Sequence, residues 1–272
     1  GYNNALWICT ATTQGVCALW AICANADGQS IRKLLEVTTE RQEIAASVLI
    51  LHIHHDIHLI LGDSRGGISI FTLNTPSLDA ASWSIARTQC FRRTHAKDPV
   101  SVLHAYSGGF GSAGHDGCVC FFAFTGGPTG CFVHMNTMSI HPVHTPDMIY
   151  IPPLKGNLSL IVGGYHSSHY IVYDVLQNTQ HMCIEGGGWK RPHACAMSQS
   201  SCGVPEVIFV CPVPQGKHQT DLQVFGNLGM HKLTPSNTVV PYALQRNSSF
   251  FGKVVYCAIT LRRPDGRAEY LA

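Results

Sequence analysis

The stretch Leu59-Ile-Leu-Gly-Asp-Ser-Arg-Gly66-Gly-Ile-Ser-Ile-Phe71 decides the fold. An apolar run stops at a polar turn of Gly and Asp, and a second run resumes with Ile68 and Ile70 alternating against Ser69. A two-residue period is that of a strand with one face buried more deeply than the other, and the turn chemistry makes the pair a hairpin. The plan recurs over Ile8–Trp20, Phe110–Phe122 and Leu160–Val172, with a weaker fifth copy from Val207 to Phe225. The turn centres are Gly15, Gly66, Gly117 and Ser168, each 51 residues beyond the last, and the fifth falls near Thr220, 52 further on.

A third β-rich run precedes three of these hairpins: Ser47 to Ile53, Val100 to Ala105 and Met148 to Ile151. Three strands and a return strand per ~50 residues make one propeller blade, too small to stand alone and buried by stacking on its neighbours. A β-sandwich would not repeat its turns at fixed distance, and the 3.6-residue pattern of a helical solenoid is weak and confined to Ile31–Ala46. The sequence therefore predicts an all-β, WD-type β-propeller over residues 1–272, with about five blades, belonging to a larger or incomplete ring. A chain that opens on Gly1 rather than Met reads as a segment of something longer.

Composition agrees with a large buried core. Of 272 residues, 45% are apolar and 12% charged, which excludes a disordered chain. Lys+Arg 18 against Asp+Glu 16 leaves a net charge of +2, so nucleic acid is not held here by overall charge and would need a local basic excess. The 12 cysteines sit mainly in apolar runs (Cys9, Cys17, Cys23, Cys118, Cys120, Cys211, Cys257), as small hydrophobes of a reduced, cytoplasmic or nuclear protein. No signal peptide is apparent, and no apolar run approaches the ~18 residues of a membrane helix.

Catalytic and metal motifs are weak. His52-Ile-His54-His55-Asp56-Ile-His58 carries ligand types, but it reads as two strands joined by a turn, with its imidazoles pointing different ways. His115 and Asp116 beside a hairpin read as structural hydrogen-bonding groups. There is no G-x-S-x-G, and Gly62-x-x-x-Gly66-Gly67 and Gly186–Gly188 precede no helix that could cradle phosphate. No catalytic residue, cofactor or metal ligand is expected.

Binding chemistry concentrates in Ile184-Glu-Gly-Gly-Gly-Trp189-Lys190-Arg191-Pro-His193-Ala194. Trp189 could stack on a base while Lys190, Arg191 and His193 meet phosphate, or Trp189 could simply fill a crevice between blades. Arg87, Arg92, Arg93, His95 and Lys97 form a second basic group, in a connection between blades.

The string from Gly163 to Asp174, followed by Ile184–His193, resembles the WD repeat-containing protein 6 family. Leu61–Phe71, Ser112–Gly117 and Phe251–Cys257 fit that family in the same order. Where the family often has His-Arg after the glycines, this chain has Trp189-Lys190-Arg191-Pro192-His193. The resemblance implies a cytoplasmic, non-catalytic scaffold. It would position tRNA for a tRNA 2′-O-methyltransferase subunit that methylates the wobble ribose. On their own chemistry, Trp189, Lys190, Arg191, His193, Arg92 and Arg93 are the candidate contact residues for RNA or a partner. The alternative is a general protein-interaction propeller for signalling or trafficking, binding other proteins and no RNA.

Overall fold

The computed structural model describes residues 5–25, 28–39, 43–53, 56–74, 84–126, 130–151, 159–191, 193–199, 205–214, 220–228, 231–232, 259–262 and 268–271. The chain divides into two compact units, Gly1–Trp189 and Lys190–Ala272. All regular structure among the described residues is β, and the fold is that of a WD-type β-propeller.

The first unit contains four antiparallel meanders. The first has three strands: β1 (Ala5–Ala11), β2 (Val16–Asn25) and β3 (Gly28–Thr38). The second comprises β4 (Ala45–Ile53), β5 (Asp56–Asp63), β6 (Ile68–Asn74) and β7 (Ser84–Phe91). The third is β8 (Val100–Tyr106), β9 (Gly109–Gly114), β10 (Cys118–Thr125) and β11 (Cys131–Ser139). The fourth is β12 (Thr145–Tyr150), β13 (Ile161–His166), β14 (His169–Asp174) and β15 (Thr179–Glu185). The sequence runs ahead of the hairpins are thus the opening strands β4, β8 and β12, and residues 31–38, where a helical period was faintly legible, lie in strand β3.

The second unit has the meander β16 (Ala194–Gln199), β17 (Pro205–Pro214), β18 (Thr220–Leu228) and β19 (His231–Lys232), and a hairpin of β20 (Ile259–Arg262) and β21 (Ala268–Leu271). Thr220, the expected centre of the fifth turn, is the first residue of β18 and pairs with Pro214, while residues 215–219 between them lie outside the described part. The Phe251–Cys257 stretch also lies outside the described residues, as do His54 and His55.

Blade stacking explains the long apolar runs. On β5, Ile57, Leu59 and Leu61 enter a core shared with Cys17, Leu19, Leu35 and Val37 of the preceding sheet. Ile60 on the opposite face joins Val100, Phe110, Cys120 and Phe122 of the following sheet. Ala113, Val119, Val162 and Ile171 form a third core between the next two sheets. A strand covered on both faces cannot keep a polar side, and Ser69, expected on the shallower face, is itself buried. Each fully buried Leu, Ile or Phe contributes about 1.5–3 kcal/mol.

The hairpin turns share one stabilising contact. Gly15, Gly66 and Gly117 have φ of 75°, 79° and 71°, and in the fourth turn Ser167 takes φ 57°. Such values cost a residue with a Cβ about 1–2 kcal/mol, which favours glycine. In each of the four meanders of the first unit, a residue just beyond the outermost strand, or four residues beyond it in the case of His95, donates its backbone N–H to a turn carbonyl. Thr39 reaches Gly15 O at 2.8 Å, His95 reaches Gly66 O at 3.0 Å, and Ile140 reaches Gly117 O at 2.9 Å. Gly186 and Gly187 both reach Ser168 O, at 3.0 and 2.9 Å.

Candidate functional site

The connection from Phe91 to Val100 is built around His95, which is fully buried. Its backbone is tied to its own blade through Gly66, while its ring reaches the next. Nδ1 lies 3.0 Å from Asp116 Oδ1 and Nε2 lies 2.8 Å from Ser112 Oγ. Burial, the largest single influence, opposes a charge on this ring, but the hydrogen bond and charge of Asp116 together with the contacts to Cys120 outweigh it, and the pKa is pushed up to about 9. An imidazolium donates from both nitrogens, matching the two acceptors. Asp116 Oδ1 also accepts from the Cys118 N–H at 3.2 Å, closing its hairpin turn.

This anchor sits in a tight turn of backbone that carries the flanking cations. Arg93 and Ala96 take left-handed φ of 56° and 52°, and the turn is closed by Ala96 N–H to Arg93 O at 3.1 Å and Asp98 N–H to His95 O at 2.9 Å. With His95 turned inward, Arg92, Arg93 and Lys97 are exposed at the mouth of a cleft of about 730 Å³. Arg65 from the adjacent hairpin turn also lines it, together with the carboxylates of Glu43 and Asp63. Asp63 Oδ1 is occupied by the N–H groups of Arg65 and Gly67, each at 2.8 Å, and Glu43 Oε1 lies 3.0 Å from Arg65 Nε. Arg93 and Lys97 form no ion pair among the described residues. Four cations against two carboxylates give this one cleft a local basic excess in a chain whose net charge is only +2.

The structure thus brings Arg92 and Arg93 together and adds Arg65 and Lys97. Arg65 was hidden in a turn motif generic to such repeats. Its signal was the repeat itself, which sets each hairpin turn against the connection that follows in the same blade.

The glycine-rich loop has a different construction. Gly187 and Gly188 have φ of 79° and 102°, turning the chain after the double contact to Ser168. Trp189 ends the first unit about half exposed, with its ring 5.4 Å from that of His115 in an edge contact. Burial pushes the His115 pKa down, favouring the neutral ring. His115 is therefore an aromatic neighbour, while Asp116 alone does the hydrogen bonding expected of the pair. Lys190, Arg191 and His193 belong to the second unit. Lys190 and Arg191 are exposed; His193 donates from Nδ1 to Arg191 O at 2.8 Å and stacks on Phe209 at 5.8 Å. Of the histidine-rich stretch, His52 is exposed on β4, whereas His58 is buried on β5, 3.1 Å from Thr72 Oγ1. No helix among the described residues is long and apolar enough to cross a membrane.

No family model matches the chain, and no curated protein matches it. Among solved structures it is similar to Sqt1 from Saccharomyces cerevisiae, with TM-score 0.51 and 15% identity, over 86% of this chain and 66% of that one. A protein from Lactobacillus plantarum gives TM-score 0.50 and 11% identity, over 100% and 68% of the two chains. The WD40 domain of SCAP from fission yeast gives 0.43 and 13%, over 93% and 64%. The chain therefore spans just under two thirds of the Sqt1 chain, and at such identities the likeness is one of fold: a WD-type β-propeller.

Proposed function

We propose that this chain is a non-catalytic, cytoplasmic propeller scaffold that binds a polyanion at the turn end of its blades. The polyanion is tRNA, held for a 2′-O-methyltransferase subunit that modifies the wobble ribose. The observation that carries the reading is the cleft where Arg65, Arg92, Arg93 and Lys97 gather around an immobilised His95. Guanidinium groups suit phosphate, because Arg donates bidentately from a planar fork. The family resemblance supplies the identity of the polyanion and of the enzyme partner. Trp189, Lys190, Arg191 and His193 are further candidate contact residues on their own chemistry, with Trp189 offering a stacking surface.

The test is tRNA binding at two salt concentrations by the parent and by Arg92→Glu/Arg93→Glu/Lys97→Glu. Several lost phosphate contacts should weaken binding by more than about tenfold and flatten the salt dependence. Unchanged affinity in a folded triple variant would sink the reading. Half-exposed Trp189 favours a second reading, a protein-interaction propeller with no RNA role, since Trp anchors protein interfaces. Lys190→Ala/Arg191→Ala separates the two: loss of tRNA crosslinking with folding intact supports the first, and absence of any crosslinking by the parent supports the second.

A further inference from the structure

The connection from β11 to β12 presents histidines at a fixed spacing. Ile140 and Val143 are fully buried, and Ile140 N–H to Gly117 O and Val143 N–H to Ile140 O, both 2.9 Å, hold the turn. With those two side chains inward, His141 and His144 are exposed. His144 N–H donates to Tyr165 O at 3.0 Å, which sets it beside the end of β13, where His166 stands half-buried. The His144 and His166 ring centroids are 4.5 Å apart, and those of His141 and His144 are 5.8 Å apart.

We propose that His141, His144 and His166 form a binding site for a divalent transition metal ion that prefers imidazole, such as Zn²⁺ or Cu²⁺. A ring ligating through nitrogen at ~2.0–2.1 Å has its centroid about 3.2 Å from the metal, so two ligating rings stand about 4.5 Å apart at a right angle and about 5.2 Å apart at the tetrahedral angle. The two measured separations bracket the tetrahedral value.

The second observation is at His166. Its Nδ1 lies 3.1 Å from Pro142 O, and a carbonyl can only accept, so Nδ1 carries the proton. In the neutral ring this leaves the lone pair on Nε2, the atom free to ligate. A backbone carbonyl fixing the tautomer is how proteins commonly orient a metal-binding histidine. The carbonyl comes from the same turn that carries His141 and His144, so one short segment supplies two ligands and orients the third.

As the side chains stand, no three His, Cys, Asp or Glu among the described residues are already placed around one point. The proposed site forms on rotation of the exposed His141 and His144 rings towards His166 Nε2, side-chain motions of the picosecond-to-nanosecond range. Three neutral imidazoles leave the ion its full charge and an open coordination position for water or an anion.

The experiment is titration of the purified chain with Zn²⁺ alone by calorimetry, with Cu²⁺ electron paramagnetic resonance as a second readout. One equivalent should bind with micromolar or better affinity, show nitrogen coupling and raise the melting temperature. His144→Ala, at an exposed position, should retain the parental fold and lose about tenfold or more in affinity, together with the thermal shift. His166→Ala should do the same, and His52→Ala should change neither. Binding unaltered in both His144→Ala and His166→Ala would assign the ion to other histidines and overturn the proposal, as would no binding by the parent.

Discussion

His95 Nδ1 stands 3.0 Å from Asp116 Oδ1, and the contact joins the connection leaving one blade to the hairpin turn of the next. The same histidine gives its backbone N–H to Gly66 O in the blade it leaves. One residue therefore fastens both sides of an interface between blades, through chemically separate bonds.

The joint makes stability depend on pH. The folded pKa of His95, about 9, lies above the ordinary value of 6.5, so its contribution is complete below 6.5 and is lost as pH rises through 9. Thermal melts should show the melting temperature falling between these pH values, and Asp116→Asn should remove most of that slope. A slope identical in Asp116→Asn and parent would show that another group titrates.

Glycine is required unequally at the turns. A Cβ at Gly66, φ +79°, would meet His95 O at 2.6 Å, whereas at Gly108, φ +82°, it would meet nothing within 4 Å. Gly108→Ala should cost only the backbone term, about 1 kcal/mol, and Gly66→Ala about 3 kcal/mol or more because the joint itself must shift. Urea unfolding of the two variants checks the order.

Core and outer-strand positions should separate sharply. Phe110 stacks on Phe122 with centroids 4.6 Å apart and is fully buried, so Phe110→Ala should cost about 3–5 kcal/mol. Met135 on β11 is 63% exposed, and Met135→Ser should lie within about 0.5 kcal/mol of the parent.

Arg65 should matter to binding and hardly to folding. Its pair with Glu43 is solvent-exposed on the arginine side, and such pairs contribute less than about 1 kcal/mol. Arg65→Ala should leave the melting temperature nearly unchanged and reduce the salt slope of polyanion binding by about one phosphate contact. A parental slope would exclude Arg65 from the contact.

The blades were legible because their turns are local: Gly66 and Gly117 announce left-handed backbone whatever surrounds them. Arg92 and Arg93 were legible as a basic pair, but the cleft was not. Its walls come from a hairpin turn and from the connection that follows the outer strand, and only His95, folded inward, sets them face to face. The burial of His58 was not legible for the same reason, since the next sheet covers it with Phe124 and Phe132. The His144–His166 proximity likewise depends on pairing between β12 and β13, which spacing alone does not disclose.

The residues that finish each hairpin, Thr39, His95, Ile140 and Gly186, share no side-chain chemistry, because what the turn carbonyl takes from them is an amide hydrogen. The seam bond itself is therefore blind to the side chain, even though His95, Ile140 and Thr39 are buried and their side chains serve the blades in other ways. The one amino acid that bond refuses is proline, which has no hydrogen there to give.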